Sequence, residues 1–174
     1  MNYSIEEINE NSLYDYMYVN TTSWNETYRG IMSDDFLDKI LNELDANVER
    51  LRSKFQQTKI IEPDYKRFLL KLNNESVGIF SICKAREEKY KSSGELCSIY
   101  LLNKAKKKGL GKIMFETAIK ELKKMNYSDM IVYCIKENPT NEFYKHIGGK
   151  LIDSKPRTIG GKDLIENIYY FEKI

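Results

Sequence analysis

The segment "NKAKKKGLGKIMFE", from Asn103 to Glu116, places five lysines around Gly109 and Gly111 and then continues as an apolar-periodic run. A phosphate group binds where the N–H groups of a helix N-terminus converge and the side chains are small. Lysines there oppose the helix dipole by about a few tenths of a kcal/mol each, and a bound anion would neutralise them. The spacing therefore favours an anion site, with a solvated, lysine-rich helix start as the alternative.

This glycine segment matches neither of the common phosphate-binding motifs. It lacks the G-x-x-x-x-G-K-[ST] frame of a P-loop and the third glycine of a Rossmann fingerprint. A nucleic-acid patch is also disfavoured, because no aromatic residue lies between residues 103 and 112 and the net charge of the chain is only +2.

The length and composition of the chain indicate one domain. Its 174 residues, 41% of them apolar, are enough for a single domain over residues 1–174 with a substantial core. The sequence has no apolar run long enough to span a membrane and no basic-then-apolar start typical of a signal peptide. We therefore expect a cytoplasmic protein without a membrane partner. A homodimer is compatible with the sequence.

The cysteine and histidine content argues against a metal centre. Cys83, Cys97 and Cys134 are far apart in sequence, lie in apolar or strand-like runs, and show no metal-ligand spacing. We expect buried, reduced thiols. Because His146 is the only histidine, metal catalysis and a histidine-dependent triad are not expected.

The acidic and basic residues are unevenly distributed. Residues 1–49 hold 11 Asp and Glu against 2 Lys and Arg, whereas the rest of the chain has 15 acids and 26 bases. This asymmetry suggests an anionic ligand for the C-terminal part and a cationic one near the N-terminal part. Solvated faces without a ligand are the alternative.

Hydrophobic periodicity predicts the first half of the fold. A short strand at 3–8 precedes two helices, one over 11–30 that ends at Gly30 and one over 33–56 that begins at a Ser33 cap. From Lys66 onward, apolar runs separated by the turn "NNES" and a polar loop predict a three-stranded antiparallel meander.

The second half alternates helices and strands. A helix follows the glycine segment to about Met125, a strand at 129–136 has the continuous apolar character of a fully buried strand, and a short helix ends at Gly148. Two closing strands follow, at 150–155 and 164–174. The α/β (α+β) class is indicated, with a mixed, mostly antiparallel sheet of about seven strands and flanking helices.

The strand and loop "ELCSIYLLNKAKKKGLGK" resemble the acetyl-CoA segment of the GNAT superfamily of N-acetyltransferases, whose loop reads [RQ]-x-x-G-x-[GA]. Gly109 and Gly111 occupy its two small-residue positions. Lys106 stands where Arg or Gln is usual, and Lys107 where a further Gly is common.

Three other segments resemble blocks of the same family, in the same order. "SWNETYRG" is similar to a subgroup with a Trp-x-x-x-Tyr-x-Gly pattern in its first helices, "NPTNEFYKHIGG" to a later helix with an aromatic–Tyr pair, and "IGGKDLIENIYYF" to the final hairpin. The resemblance covers nearly the whole chain. It implies a GNAT-like sheet and an acetyl-CoA-dependent N-acetyltransferase.

The resemblance also implies acetyl-CoA as co-substrate, without a metal. The pyrophosphate would bind the loop amides, and the pantetheine arm would pair with the preceding strand. Asn138 could contact the CoA arm or cap the helix after it. The implied cofactor-binding residues are Tyr100, Leu101, Leu102, Lys106, Lys107, Lys108, Gly109, Leu110, Gly111, Lys112 and Asn138.

Two residues are candidates for the chemistry. Tyr144 matches the position of the family's tyrosine general acid and would protonate the leaving thiolate; packing beside the cofactor is the alternative. Glu95 could remove a proton from the amine directly or through water, or could be a surface carboxylate at the end of a strand. The N–H of Leu101 would donate to the acetyl oxygen.

The expected acceptor is the primary amine of a small molecule. Trp24 and Tyr28 lie one helical turn apart and would line the amine pocket or pack in the core. The acidic N-terminal third suggests a cationic acceptor, because the first helices border the acceptor site in this family. The alternatives are a protein N-terminus or lysine as acceptor, or a CoA sensor without turnover.

Overall fold

A computed structural model describes residues 2–174. Within this range helices pack on a seven-stranded sheet. The elements are β1 (Tyr3–Glu7), α1 (Leu13–Tyr28), α2 (Asp34–Asn42), α3 (Leu44–Ile61), β2 (Lys66–Leu72), β3 (Glu75–Lys84), β4 (Gly94–Leu101), α4 (Leu110–Lys124), β5 (Met130–Ile135), α5 (Thr140–His146), β6 (Lys150–Ile159) and β7 (Lys162–Phe171).

The strand order across the sheet is β1-β2-β3-β4-β5-β7-β6. Every neighbouring pair is antiparallel except β4 and β5, which are parallel. The predicted mixed, mostly antiparallel sheet of seven strands is confirmed, as is the meander of β2, β3 and β4. Helices α4 and α5 cover one face of the sheet, and α1 to α3 cover the other.

The parallel strands β4 and β5 pair over only three residues. Gly94–Leu96 lies opposite Met130–Val132, and no further pair follows. A bulge at Cys97 interrupts the register of β4 with β3, since Leu96 and Ser98 pair with consecutive residues of β3. A bulge bends the strand that contains it. The backbone edge of β4 beyond Leu96 therefore faces an opening in the middle of the sheet.

Helix α4 begins where the glycine segment ends. Gly109 is its N-cap in the left-handed conformation, with φ +77°, which glycine adopts without a Cβ penalty. The helix buries an apolar stripe that continues the sequence period, and burial of each such side chain contributes roughly 1.5–3 kcal/mol. The stripe consists of Leu110, Met114, Ala118 and Leu122.

The helix predicted over 33–56 is two helices, with a break at Glu43 (φ −91°, ψ 22°). Leu37 of α2 packs in a cluster with Tyr28 on one side of α1, whereas Phe55 of α3 packs in another cluster with Leu13. Because Leu37 and Phe55 pack in different clusters, the chain must change direction between them. The hydrophobic period of the sequence does not reveal this change. The last hairpin is also longer than predicted, because β6 continues to Ile159.

Strand β5 is buried on both faces along most of its length, as predicted. No helix in residues 2–174 combines the length and apolar character that crossing a membrane requires.

Candidate active site

A cleft of about 340 Å³ lies on the α4 side of the opening between β4 and β5. Two strand residues, the glycine segment and the start of α5 form its walls. The lining residues are Ile99, Leu101, Lys106, Lys107, Gly109, Gly111, Lys112, Thr140 and Phe143.

Gly109 and Gly111 leave space at the helix N-terminus. A Cβ built on either glycine would meet no atom within 4 Å, so the absent side chains open the cleft toward the backbone. The first amides of α4 have no intrahelical acceptor. With the partial positive charge of the helix N-terminus behind them, these amides suit a pyrophosphate group.

Only some of the predicted lysines face this cleft. Lys106, Lys107 and Lys112 line it. The Lys108 side chain lies in a different surface depression, beside Leu72 and Val77. Leu110 is fully buried in the core, so only its backbone could serve a ligand.

The predicted pairing residues on β4 need a correction. Leu102 donates its N–H to the carbonyl of Val77 at 2.9 Å and accepts from the N–H of Ala105, so its backbone is already occupied. Tyr100 faces β3 in the same way, because successive residues of a strand direct their polar groups to opposite edges. Leu101 and Ile99 are the residues whose backbone faces the opening.

The side chain of Asn138 already forms hydrogen bonds within the protein. Its side-chain oxygen accepts from the N–H of Thr140 at 2.9 Å, and its nitrogen donates to the Tyr28 hydroxyl at 3.2 Å. These bonds favour the helix-capping alternative over a contact with the cofactor arm.

Tyr144 lies on α5 beside the cleft. It is buried, and its ring packs against Phe143, which lines the cleft, and against Tyr169. Burial raises its pKa well above the usual value of 10.0. The phenol therefore keeps its proton throughout the neutral range, as a hydrogen-bond donor to a leaving group requires.

A second cavity, of about 380 Å³, lies on the opposite face of the sheet. We call it the acceptor cavity. Helix α1 and strands β4 to β7 all contribute walls. Its lining residues are Trp24, Tyr28, Met32, Arg86, Glu87, Glu95, Cys97, Tyr100, Tyr133, Ile135, Lys155, Arg157, Ile159 and Glu166.

Trp24 and Tyr28 form an aromatic wall of the acceptor cavity together with Tyr100. The ring centroids of Trp24 and Tyr28 are 5.2 Å apart, and the hydroxyls of Tyr28 and Tyr100 are 3.3 Å apart. Burial raises the pKa of both tyrosines. The two residues predicted to line the amine pocket thus do line a cavity, and they also pack against each other.

Glu95 is fully buried rather than at the surface. Its Oε1 accepts from Nη2 of Arg86 at 2.5 Å, and its Oε2 accepts from the backbone N–H of the same residue at 3.2 Å. The Glu95 carboxylate raises the pKa of the Arg86 guanidinium. Both oxygens of the candidate base are thus engaged, which favours relay through water over direct contact with an amine.

Sequence reasoning missed the charged residues at the far side of the acceptor cavity. Glu166 of β7 is only 8% exposed, and it faces Lys155 and Arg157 of β6. A signal for Glu166 was present, because it lies between Leu164 and Ile168 at alternate positions of a strand that are otherwise apolar.

The acidic residues of the first 49 positions are not part of this cavity, whose acids are Glu87, Glu95 and Glu166. Glu26 instead accepts from the N–H of Asn103 at 2.7 Å, and Asp34 pairs with Arg29. The charge asymmetry that suggested a cationic acceptor therefore belongs to other surfaces.

The cysteines are closer in space than in sequence. The Sγ atoms of Cys83 and Cys97 are 2.8 Å apart, on adjacent strands. The two thiols and a carboxylate oxygen of Glu95 lie within 4.8 Å of one another. Burial, together with the neighbouring Cys83, raises the pKa of Cys97 well above its usual value, so its thiol is protonated at neutral pH.

A GNAT-type fold is defined by this combination: a mixed sheet opened between two parallel strands, with a glycine-marked helix N-terminus at the opening. Comparison with known proteins agrees with it. The family model described as FR47-like protein matches residues 76–158, which run from β3 through the glycine segment to β6.

Individual relatives point the same way. The uncharacterized N-acetyltransferase YuaI of Bacillus subtilis is 26% identical over 142 residues, covering 82% of this chain and 77% of that protein. The PaiA N-acetyltransferase of Thermoplasma acidophilum, solved in complex with coenzyme A, has a TM-score of 0.74 at 22% identity and covers 96% of this chain and 98% of its own.

The YncA protein of Salmonella typhimurium, solved with acetyl-CoA, has a TM-score of 0.66 at 14% identity and covers 97% of this chain and 92% of its own. These comparisons confirm the predicted fold and the resemblance to GNAT superfamily N-acetyltransferases.

Proposed function

We propose that this protein is an acetyl-CoA-dependent N-acetyltransferase that modifies a primary amine of a small acceptor. One observation carries the proposal: the glycine-marked cleft and the acceptor cavity lie on opposite faces of the sheet, and both are lined by β4 beyond its bulge. The opening between β4 and β5 would let the two reactants meet.

The cleft has the features that acetyl-CoA requires. The first amides of α4 with Lys106, Lys107 and Lys112 would hold the pyrophosphate. The open edge of β4 would pair with the pantetheine arm. When bound, acetyl-CoA supplies an acetyl group activated as a thioester.

The chain's own residues would then perform three tasks. The N–H of Leu101, on the open edge, would donate to the acetyl oxygen. Glu95, held by Arg86, would take a proton from the amine through water. Tyr144 would donate a hydrogen bond to the departing sulfur; because burial raises its pKa, full proton transfer to a thiolate is unfavourable and the hydrogen bond is its main contribution.

The acceptor is proposed to be a small molecule because the acceptor cavity is closed on several sides. Helix α1 and the β6–β7 hairpin both contribute walls to the acceptor cavity, whose volume is about 380 Å³. An extended peptide would need a longer groove. The charges of the cavity, which include bases as well as acids, give no support to a purely cationic acceptor.

The test is thiol release from acetyl-CoA with a panel of small amines and peptides, for the wild-type protein and Tyr144→Phe. We expect turnover with small amines, and a reduction of kcat on the order of 100-fold in Tyr144→Phe with unchanged acetyl-CoA affinity, as for the loss of one hydrogen-bond donor to a developing charge. Tyr169→Phe, which alters a neighbouring tyrosine, is the matched control.

Activity restricted to peptides would contradict the small-molecule acceptor. Unchanged turnover in Tyr144→Phe would remove the role assigned to this hydroxyl. A CoA sensor, the remaining alternative, would bind acetyl-CoA and release no thiol with any amine.

A further inference from the structure

The acceptor cavity contains equal numbers of acidic and basic side chains. A cationic acceptor placed there would leave excess positive charge in a partly buried site, whereas a molecule with no net charge would preserve the balance. The six groups are Glu87, Glu95, Glu166, Arg86, Lys155 and Arg157.

Two buried oxygens that belong to cavity-lining residues have no hydrogen-bond partner among the described residues. One is Oε2 of Glu166, which can only accept a hydrogen bond when ionised, and the other is the hydroxyl of Tyr133, which can donate one. Lys155 and Arg157 approach Oε2 only to 3.9 and 3.7 Å, beyond hydrogen-bond distance. Buried polar atoms without partners are rare in folded proteins, so the Glu166 carboxylate retains unmet hydrogen-bonding capacity behind the cavity wall.

The three basic side chains of the cavity differ in whether they already form a hydrogen bond to a carboxylate. Arg86 is bonded to Glu95, and Lys155 is bonded to Glu87. Arg157 is half exposed, and its nearest described carboxylate oxygen is the one at 3.7 Å. Its planar donor group is therefore available to a carboxylate, which it can bind with two parallel hydrogen bonds.

We infer that the acceptor is a zwitterion of the amino-acid class, whose ammonium group faces Glu166 and whose carboxylate binds Arg157. The inference rests on the proposed acetyltransferase function and concerns the same cavity. An acceptor of this kind brings a cation toward the Glu166 carboxylate and an anion to the half-exposed Arg157 guanidinium, and it adds no net charge.

The opposite wall determines which side chain such an acceptor carries. Trp24, Tyr28 and Tyr100 present aromatic surface to the cavity, and Ile135 adds an aliphatic one. An apolar or aromatic side chain would pack there. Phenylalanine and leucine are therefore the appropriate probes.

The test compares each amino acid with the amine that lacks its carboxylate: phenylalanine with phenethylamine, and leucine with isoamylamine. Trp24 is the only tryptophan of the chain and lies in the cavity wall, so its fluorescence reports binding without turnover. We expect each amino acid to bind more tightly than its matched amine. Arg157→Met should weaken amino-acid binding roughly 10- to 100-fold and leave amine binding unchanged.

Arg52→Met, on the exposed face of α3, is the control and should change neither affinity. Equal or tighter binding of the amines, an equal loss for both ligand types in Arg157→Met, or no response to either amino acid at concentrations on the order of 10 mM would overturn the inference.

Thiol release from acetyl-CoA, followed in parallel, separates this inference from the function on which it rests. Transfer to phenethylamine and isoamylamine but not to the amino acids would overturn the zwitterionic acceptor and leave the acetyltransferase standing. Binding of the amino acids through Arg157 without thiol release from any acceptor would contradict the acetyltransferase instead.

Discussion

The two partners of the Glu95–Arg86 ion pair differ in burial. The Glu95 side chain is fully buried, whereas 62% of the Arg86 side chain is exposed. A buried charge that loses its partner is costly, but an exposed guanidinium can turn to water. The two partners should therefore differ in what their removal does to the folded protein.

We predict that Arg86→Met lowers the free energy of unfolding by about 3 kcal/mol or more, because it leaves the buried Glu95 carboxylate without its charged partner. Glu95→Gln should cost clearly less, since Arg86 can reach solvent. Urea denaturation of both variants measures the difference. Equal losses, or a larger loss for Glu95→Gln, would contradict this description of the pair.

At the residue scale, the sequence could indicate which aromatic side chains lie near one another. Trp24 and Tyr28 line the acceptor cavity, and Tyr144 packs against Phe143 of the cleft. The sequence alone could not show that the Leu102 N–H is bonded to Val77, because that bond follows from the register with β3. Arg157 was missed because one exposed arginine in a strand carries no local signal.

At the scale of elements, helix α4 packs closely on strand β4 at Gly94, which has no side chain. A Cβ at Gly94 would lie 2.7 Å from Cδ2 of Leu122, so the helix could not stay in place without repacking. The last turn of α4 therefore packs directly against Gly94 of β4 through the Leu122 side chain.

We predict that Gly94→Ala lowers the free energy of unfolding by about 1–3 kcal/mol through overpacking. Adding Leu122→Ala should relieve the clash, so the double variant should be less destabilised than the sum of the single variants by roughly 0.5–3 kcal/mol. Denaturant titration of all four members of this cycle tests it. Additive effects would show that Leu122 is not the obstacle.

Strands and the helix of the glycine segment were predictable because their hydrophobic periods are strong. The break between α2 and α3 was not, since Glu43 is neither glycine nor proline and the apolar spacing continues through it. The break follows from where Leu37 and Phe55 find their neighbours, which is tertiary information.

For the whole molecule, the acceptor cavity joins residues that are far apart in sequence. Its charged groups come from the loop after β3, from β4, and from the last hairpin, all brought together by the strand order β4-β5-β7-β6. A sequence motif can mark a phosphate site formed by one continuous segment. It cannot mark a cavity assembled from four strands and a helix.

The buried tyrosines give the whole molecule a predictable sensitivity to alkali. Burial raises the pKa of Tyr16, Tyr28, Tyr100 and Tyr144 above the usual value of 10.0. Below pH 10 these groups are protonated in both the folded and the unfolded state. Above pH 10 only the unfolded chain loses the protons, so folding becomes less favourable.

We therefore predict that the free energy of unfolding falls above pH 10 by up to roughly 1.4 kcal/mol per pH unit for each buried tyrosine. Urea titrations on either side of pH 10 measure this slope. Tyr16→Phe should reduce it, whereas Tyr14→Phe, at an exposed position, should not. A flat profile above pH 10 would contradict the burial of these hydroxyls.

The central claim is that the glycine-marked cleft binds acetyl-CoA. Gly111→Glu tests it better than a change at Gly109, because Gly111 is helical whereas Gly109 requires a positive φ. Lys120→Gln, an equal charge change at an exposed position of α4, is the control.

The decisive measurement is calorimetric titration of acetyl-CoA into the three proteins. We predict stoichiometric binding to the wild-type protein and to Lys120→Gln, and binding weakened on the order of 100-fold in Gly111→Glu, where a carboxylate would occupy the phosphate position. Absence of binding to the wild-type protein, or unchanged affinity in Gly111→Glu, would contradict the claim.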